Sequence, residues 1–205
     1  MTPPYRIETE RLVIRCYEPE DAALLKDAVD SSLDHLRPWM PWVRFEPQPL
    51  DQKIDLLRMF RGQFDQDENY VYGVFDGDES RLLGGSGLHP RGGDDSLEVG
   101  YWVRADAVGQ GIATEVTAVL TRAGIEHAGL KRVDIQVDPA NERSLRIPRS
   151  LGFTEEATLR RRLEPNEPGA ERRDSVLFTM LDHELAISPC TTFPYRAFDA
   201  IGRQL

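Results

Sequence analysis

Cysteine is scarce in this 205-residue chain: Cys16 and Cys190 stand far apart and show no metal-binding or redox spacing. That argues against a disulfide framework and for reduced thiols. Basic charge is in deficit, with 25 Lys and Arg against 35 Asp and Glu, a formal net charge of −10. Such a surface repels nucleic-acid phosphates and is compatible with an amine substrate, so no nucleic-acid partner is expected. The four histidines, His35, His89, His127 and His183, form no ligand spacing with one another or with the cysteines, so no metal is expected. No apolar run approaches the roughly 20 residues of a membrane span, and the opening MTPPYRIETE lacks the basic and apolar regions of a signal peptide. The expectation is a cytoplasmic protein with no membrane partner, either a monomer or a homodimer.

With 40% hydrophobic and 29% charged residues, the chain has enough apolar material for one domain with a real core. TERLVIRCYE alternates as a half-buried strand that should open a sheet. Ala22, Leu25, Val29 and Leu33 then share one face of a helix over about 19–33, and Leu50, Ile54, Leu57, Phe60 and Phe64 mark a second. Between them, HLRPWMPWV concentrates Trp39, Met40 and Trp42 around two prolines, either to cap the core or to line a substrate pocket. From residue 70 the period shortens to two, and YVYGVFD, RLLGGSGLHP and SLEVGYWVR predict an antiparallel meander. A helix to about 127, the strand RVDIQVD, a shorter helix in NERSLRIPRSLGF and strands near 153–163 and 174–182 complete the pattern. The order β-α-α-β-β-β-α-β-α-β-β describes a mixed α/β sheet with helices on both faces. The domain is placed at 1–182, followed by a tail over 183–205.

VRADAVGQGIATE joins the third meander strand to the next helix through Gly109 and Gly111. A glycine turn that opens a helix is suited to an anion, because the first amides have no intrahelical partner and carry about half a positive charge. Gly111 is followed by Ile112 and Ala113 rather than Lys and a hydroxyl residue, which excludes a Walker A loop. Thr114 stands where a dinucleotide fingerprint needs its third glycine.

Four pieces together, TERLVIR, HLRPWMPWV, LEVGYWVRADAVGQGIATE and NERSLRIPRSLGF, resemble the GNAT superfamily of acetyl-CoA-dependent N-acetyltransferases, in particular the RimJ/RimL-like branch that acetylates ribosomal-protein N-termini. They run in family order over about residues 8–182. The resemblance implies a single GNAT-like domain, a mostly antiparallel twisted sheet with one splayed parallel pair, and acetyl-CoA as co-substrate. It implies that the loop Val108, Gly109, Gln110, Gly111, Ile112, Ala113 and Thr114 holds the coenzyme diphosphate through backbone NH groups. Val108 departs from the family's Arg or Gln and supplies no side-chain donor. It further implies that the pantetheine arm pairs with backbone near Trp102 and Val103, that Asn141 bonds its amides, and that Ser144 faces the sulfur. Pro148 removes an NH directed at the carbonyl of residue 144 and should kink this helix.

A primary amine must lose a proton before it attacks a thioester. Glu98, on the strand bordering the gap and on the opposite face from Leu97 and Val99, is the candidate base, directly or through water. It reads equally as a solvated carboxylate or a structural partner of an arginine. Trp39, Trp42 and His89 are candidate substrate contacts. The reading is therefore an N-acetyltransferase whose acceptor is a protein N-terminal amine or a small-molecule amine. Its rivals are a coenzyme A sensor or structural subunit without catalysis, motivated by Val108, and an ATP-holding module.

Overall fold

The computed structural model describes residues 2–91, 93, 95–167 and 169–205. Its first half follows the sequence periods closely. β1 (Arg6–Glu8) and β2 (Leu12–Cys16) precede α1 (Ala22–Asp30), a short α2 (Leu33–Leu36) and α3 (Leu50–Asp65). The expected 19–33 helix is thus broken: Ser31 Oγ turns back to the carbonyl of Asp27 at 2.7 Å, a side-chain bond that competes with helix continuation. The meander forms as β3 (Tyr70–Asp76), β4 (Leu82–His89) and β5 (Ser96–Val103). α4 (Ile112–Glu126), β6 (Arg132–Val137), α5 (Glu142–Ser150), β7 (Thr154–Leu163) and β8 (Arg173–Leu181) follow, and β9 (Arg196–Phe198) lies in the tail.

These nine strands make one sheet in the order β7-β8-β6-β5-β4-β3-β2-β1-β9. Every neighbouring pair is antiparallel except β5 and β6, so the expected mixed, mostly antiparallel α/β sheet is present. Strand β2 does not open the sheet, however. β1 pairs with it on one side and with β9 on the other, so the segment from His183 onward packs against this same chain. Cys190 from that segment is fully buried in the core.

Alternation along β5 divides the core between the two faces. Leu97, Val99, Tyr101 and Val103 join the cluster beneath α4, which includes Val116, Val119 and Leu120. Trp102 points the other way, into the cluster of Val29, Leu57 and Phe75 beneath α1 and α3. Gly85 makes room for it, since a Cβ there would stand 2.5 Å from the indole Nε1. Trp42 meets Trp102 edge to face with centroids 5.9 Å apart.

The loop after α2 is bolted down from beneath. Lys53 of α3 and Glu46 form an ion pair with side chains only 1% and 4% exposed, and the second Glu46 oxygen accepts from the Gln48 amide at 3.0 Å. Two charges this deeply buried persist only when paired and hydrogen-bonded, so the pair fixes the loop's return to α3.

Candidate active site

Parallel pairing of β5 with β6 lasts three rungs, Ser96↔Arg132, Leu97↔Val133 and Glu98↔Asp134, and then stops. Beyond Glu98 the strands diverge, as expected for the splayed pair, and the edge of β5 facing β6 is free of strand pairing. A cleft of about 940 Å³ occupies the opening, lined by β5, the glycine loop, α2, the loop after it and the start of α5.

Backbone geometry shapes the loop wall. Gly109 and Gly111 hold φ of +84° and +75°, a left-handed conformation that a residue with a Cβ adopts at a cost of about 1–2 kcal/mol. The turn delivers the chain into α4 with Gly111 as a cap that provides no side-chain bond, so the first-turn amides keep their donor capacity. Val108, Gly109, Gly111, Ile112, Ala113 and Thr114 all line the cleft; Gln110 does not. The Gln110 carbonyl instead accepts from Arg11 Nη1 at 2.9 Å. Arg11 in turn donates to Glu115 at 2.7 Å, and Thr9 Oγ1 donates to the same carboxylate at 2.6 Å. The segment entering β2 therefore holds the loop from behind, through a Glu115 that is only 6% exposed.

Asn141 and Ser144 begin the facing wall. The Asn141 side chain accepts from the Ser144 amide at 3.1 Å, the helix-cap bond. Pro148 sits inside α5 as the sequence requires, and it leaves the Ser144 carbonyl without its helical donor. Tyr101 fills that place: its hydroxyl lies 3.3 Å from the Ser144 carbonyl and 2.9 Å from Ser144 Oγ. Burial pushes the Tyr101 phenol up to about 12, the bond to Ser144 opposing that rise. Tyr101 keeps its proton at neutral pH, and like Arg143 and Arg146 it is a cleft residue that sequence alone does not single out. Within the alternation of β5 it reads as one more core aromatic.

Glu98 stands at the crotch of the fork, not in the lining of the cleft itself. Its Oε2 accepts from Gln136 Nε2 at 2.7 Å, a bond that spans from β5 to β6, and Arg91 Nε lies 3.5 Å from Oε1. Burial raises its pKa, with Arg91 and Gln136 pulling the other way and Asp134 adding to the rise.

Trp39 lines the cleft and Trp102 and Val103 form its β5 side, whereas Trp42 lies behind Trp102. His89 is not among the residues that line the cleft, and it pairs in register with Glu98 of β5. Its Nδ1 meets Asn69 Oδ1 at 2.7 Å, and its ring fills the space over Gly87. Burial, assisted by Arg91, pushes its pKa down to about 4, so it is neutral at pH 7. Over the same face, Arg44 of the loop after α2 reaches Glu164 of the β7–β8 hairpin at 3.4 Å, and Asn166 donates to the Pro38 carbonyl. No cluster of His, Cys, Asp and Glu able to hold a metal occurs among the described residues, nor is any helix there long and apolar enough to cross a membrane.

A cleft of this size, with uncapped helix amides on one wall and a hydroxyl pair on the other, fits a long ligand with a phosphate at one end. Residues 11–154 match the acetyltransferase (GNAT) domain family, and the chain belongs to that family: it is an N-acetyltransferase that uses acetyl-CoA as acetyl donor. It is 27% identical to YdaF of Bacillus subtilis (strain 168) over 177 residues, 85% of this chain and 93% of that protein. It is 28% identical to the ribosomal protein uS5-alanine N-acetyltransferase of Escherichia coli (strain K12) over 160 residues, 75% of this chain and 80% of the relative. Among solved structures, Mycobacterium smegmatis RimJ in complex with CoA-disulfide superposes with a TM-score of 0.79 at 23% identity, covering 93% of this chain and 95% of that one.

Proposed function

We propose that this protein works in the cytoplasm and acetylates a protein N-terminal amine, by direct attack on acetyl-CoA while both substrates are bound. One observation carries the reading: the β5–β6 fork opens beyond Glu98, and the cleft in that opening has the glycine loop on one wall and Asn141 and Ser144 on the other. The co-substrate supplies an activated acetyl thioester. The amides at Gly109 to Thr114 hold its diphosphate, while Asn141 and the free edge of β5 near Trp102 and Val103 hold its arm, an arrangement akin to strand addition.

Glu98 takes the proton of the incoming ammonium, directly or through one water, and its raised pKa brings it closer to the working pH. The amine nitrogen then bonds to the acetyl carbon as the carbon–sulfur bond breaks. The departing sulfur takes a proton from Ser144 Oγ, and the proton shed by the newly acylated nitrogen returns to Ser144 through the Tyr101 hydroxyl at 2.9 Å, so both hydroxyls end the cycle protonated. Trp39, the loop after α2 and the β7–β8 hairpin frame the acceptor side, and Trp42 supports it through Trp102.

The acceptor assignment draws on the named activity of the E. coli relative. A thiol-release assay over peptides with free or blocked N-termini and over small primary amines tests it. Turnover confined to small amines would move the acceptor to that class, and absence of turnover with every amine would favour a coenzyme A sensor.

A further inference from the structure

Arg143 and Arg146 stand one turn apart on α5, both exposed and both lining the cleft. In a chain with ten more acidic than basic residues (35 against 25), arginines readily find carboxylates. Their helix neighbour Arg149 pairs with Glu155 at 2.9 Å, and Arg173 pairs with Asp138 at 2.5 Å. Arg143 and Arg146 have no ion-pair or hydrogen-bond partner among the described residues. Glu142 is the sole acid in the described lining of the cleft. Across the opening, His35 of α2 is held below its usual pKa by burial and by the charge of Arg143. The mouth of the cleft therefore carries an uncompensated positive field on a protein that is acidic as a whole.

That field lies opposite the wall where charge is missing, since Val108 contributes none. Coenzyme A carries two phosphate groupings, a diphosphate and a ribose 3′-monophosphate, and the amides of one helix start serve one of them. We propose that Arg143 and Arg146 bind the 3′-phosphate, so that α5 supplies the cationic recognition absent from the loop. Guanidinium groups suit a phosphate dianion because they donate paired, charge-assisted hydrogen bonds. The inference rests on the acetyl-CoA reading of the cleft, and it makes the enzyme selective for the phosphorylated ribose.

Calorimetric titration of the intact protein with coenzyme A and with 3′-dephospho-coenzyme A tests it. Wild-type protein should bind coenzyme A roughly ten- to a hundredfold more tightly, the span of one or two charge-assisted hydrogen bonds. Arg143→Ala/Arg146→Ala should lose most of that preference, with affinity for the dephospho form unchanged and the melting temperature near wild type. Arg160→Ala, on the hairpin, should leave both affinities intact. Equal loss for both ligands, or no loss for either, overturns the assignment. So does a raised KM for an acidic peptide acceptor with coenzyme A affinity unchanged. Wild-type protein that binds neither ligand at millimolar concentration would instead refute the cofactor reading.

Discussion

The Tyr101 hydroxyl lies 2.9 Å from Ser144 Oγ, joining the diverging strand β5 to the first turn of α5 across the fork. The contact exists because Pro148 removes the helical NH that would otherwise occupy the Ser144 carbonyl, which Tyr101 also approaches. Tyr101→Phe and Ser144→Ala should each lower kcat by about 10²-fold, within the range for a positioned proton donor. The KM for acetyl-CoA should move far less. The double variant should be little worse than either single one, because the two hydroxyls act as a unit.

Glu98 must be ionised to accept a proton, and burial raises its pKa. Activity should therefore rise with pH along an acid limb centred above the ordinary carboxylate range. Glu98→Gln should cost about 10²- to 10⁴-fold in kcat and remove that limb. A pH profile of kcat/KM for both proteins makes the measurement. A limb that survives in the variant would assign it to another group.

Gly111→Ala should show two separable losses. The left-handed φ of +75° costs a Cβ-bearing residue about 1–2 kcal/mol, visible in urea denaturation. Any relaxation of that strain tilts the first amides of α4 and weakens acetyl-CoA binding, visible in calorimetry.

Glu115 binds both Thr9 and Arg11 behind the same loop, at 2.6 and 2.7 Å. Removing a buried acceptor of this kind costs about 1–3 kcal/mol. Glu115→Ala should raise the KM for acetyl-CoA more than it lowers kcat, and Glu115→Gln should recover part of the loss by keeping the bond to Thr9.

His89 gives a stability signature rather than a kinetic one. Its folded pKa of about 4 lies below the ordinary 6.5, so the unfolded chain binds more protons between those values. Its contribution is complete above pH 6.5 and declines as the pH falls toward 4. A shift of this size amounts to roughly 3 kcal/mol. Urea melts at pH 7.5 and 4.5 should show the loss in wild-type protein and a smaller one in His89→Gln.

Regular periods made most of this architecture legible from residues alone. Val71 to Phe75 and Leu97 to Val103 alternate, and Leu57 and Phe64 are spaced as on a helix and are fully buried. The glycine loop stands out by its spacing, whereas Asn141 and Ser144 enter only through the family resemblance. β1 and β9 escaped notice because three-residue strands offer no period to detect, and they exist through pairing partners far away in sequence. The depth at which His89 sits was equally hidden, since a histidine beside Pro90 at a strand end carries the same letters whether it faces a ligand or Asn69. The bond from Glu98 to Gln136 depends on how two strands diverge, a tertiary property that no local pattern encodes.

Beneath the acceptor side, the buried Lys53–Glu46 pair makes an arch of the loop after α2, with a locked springer at the α3 end. The crest at Trp39 and Met40 can then exchange side chains while its footing stays put. On the proposed reading this crest is where the choice of amine would be rewritten, and because Trp39 and Met40 share one cleft with the glycine loop, such changes would lie within reach of the donor as well.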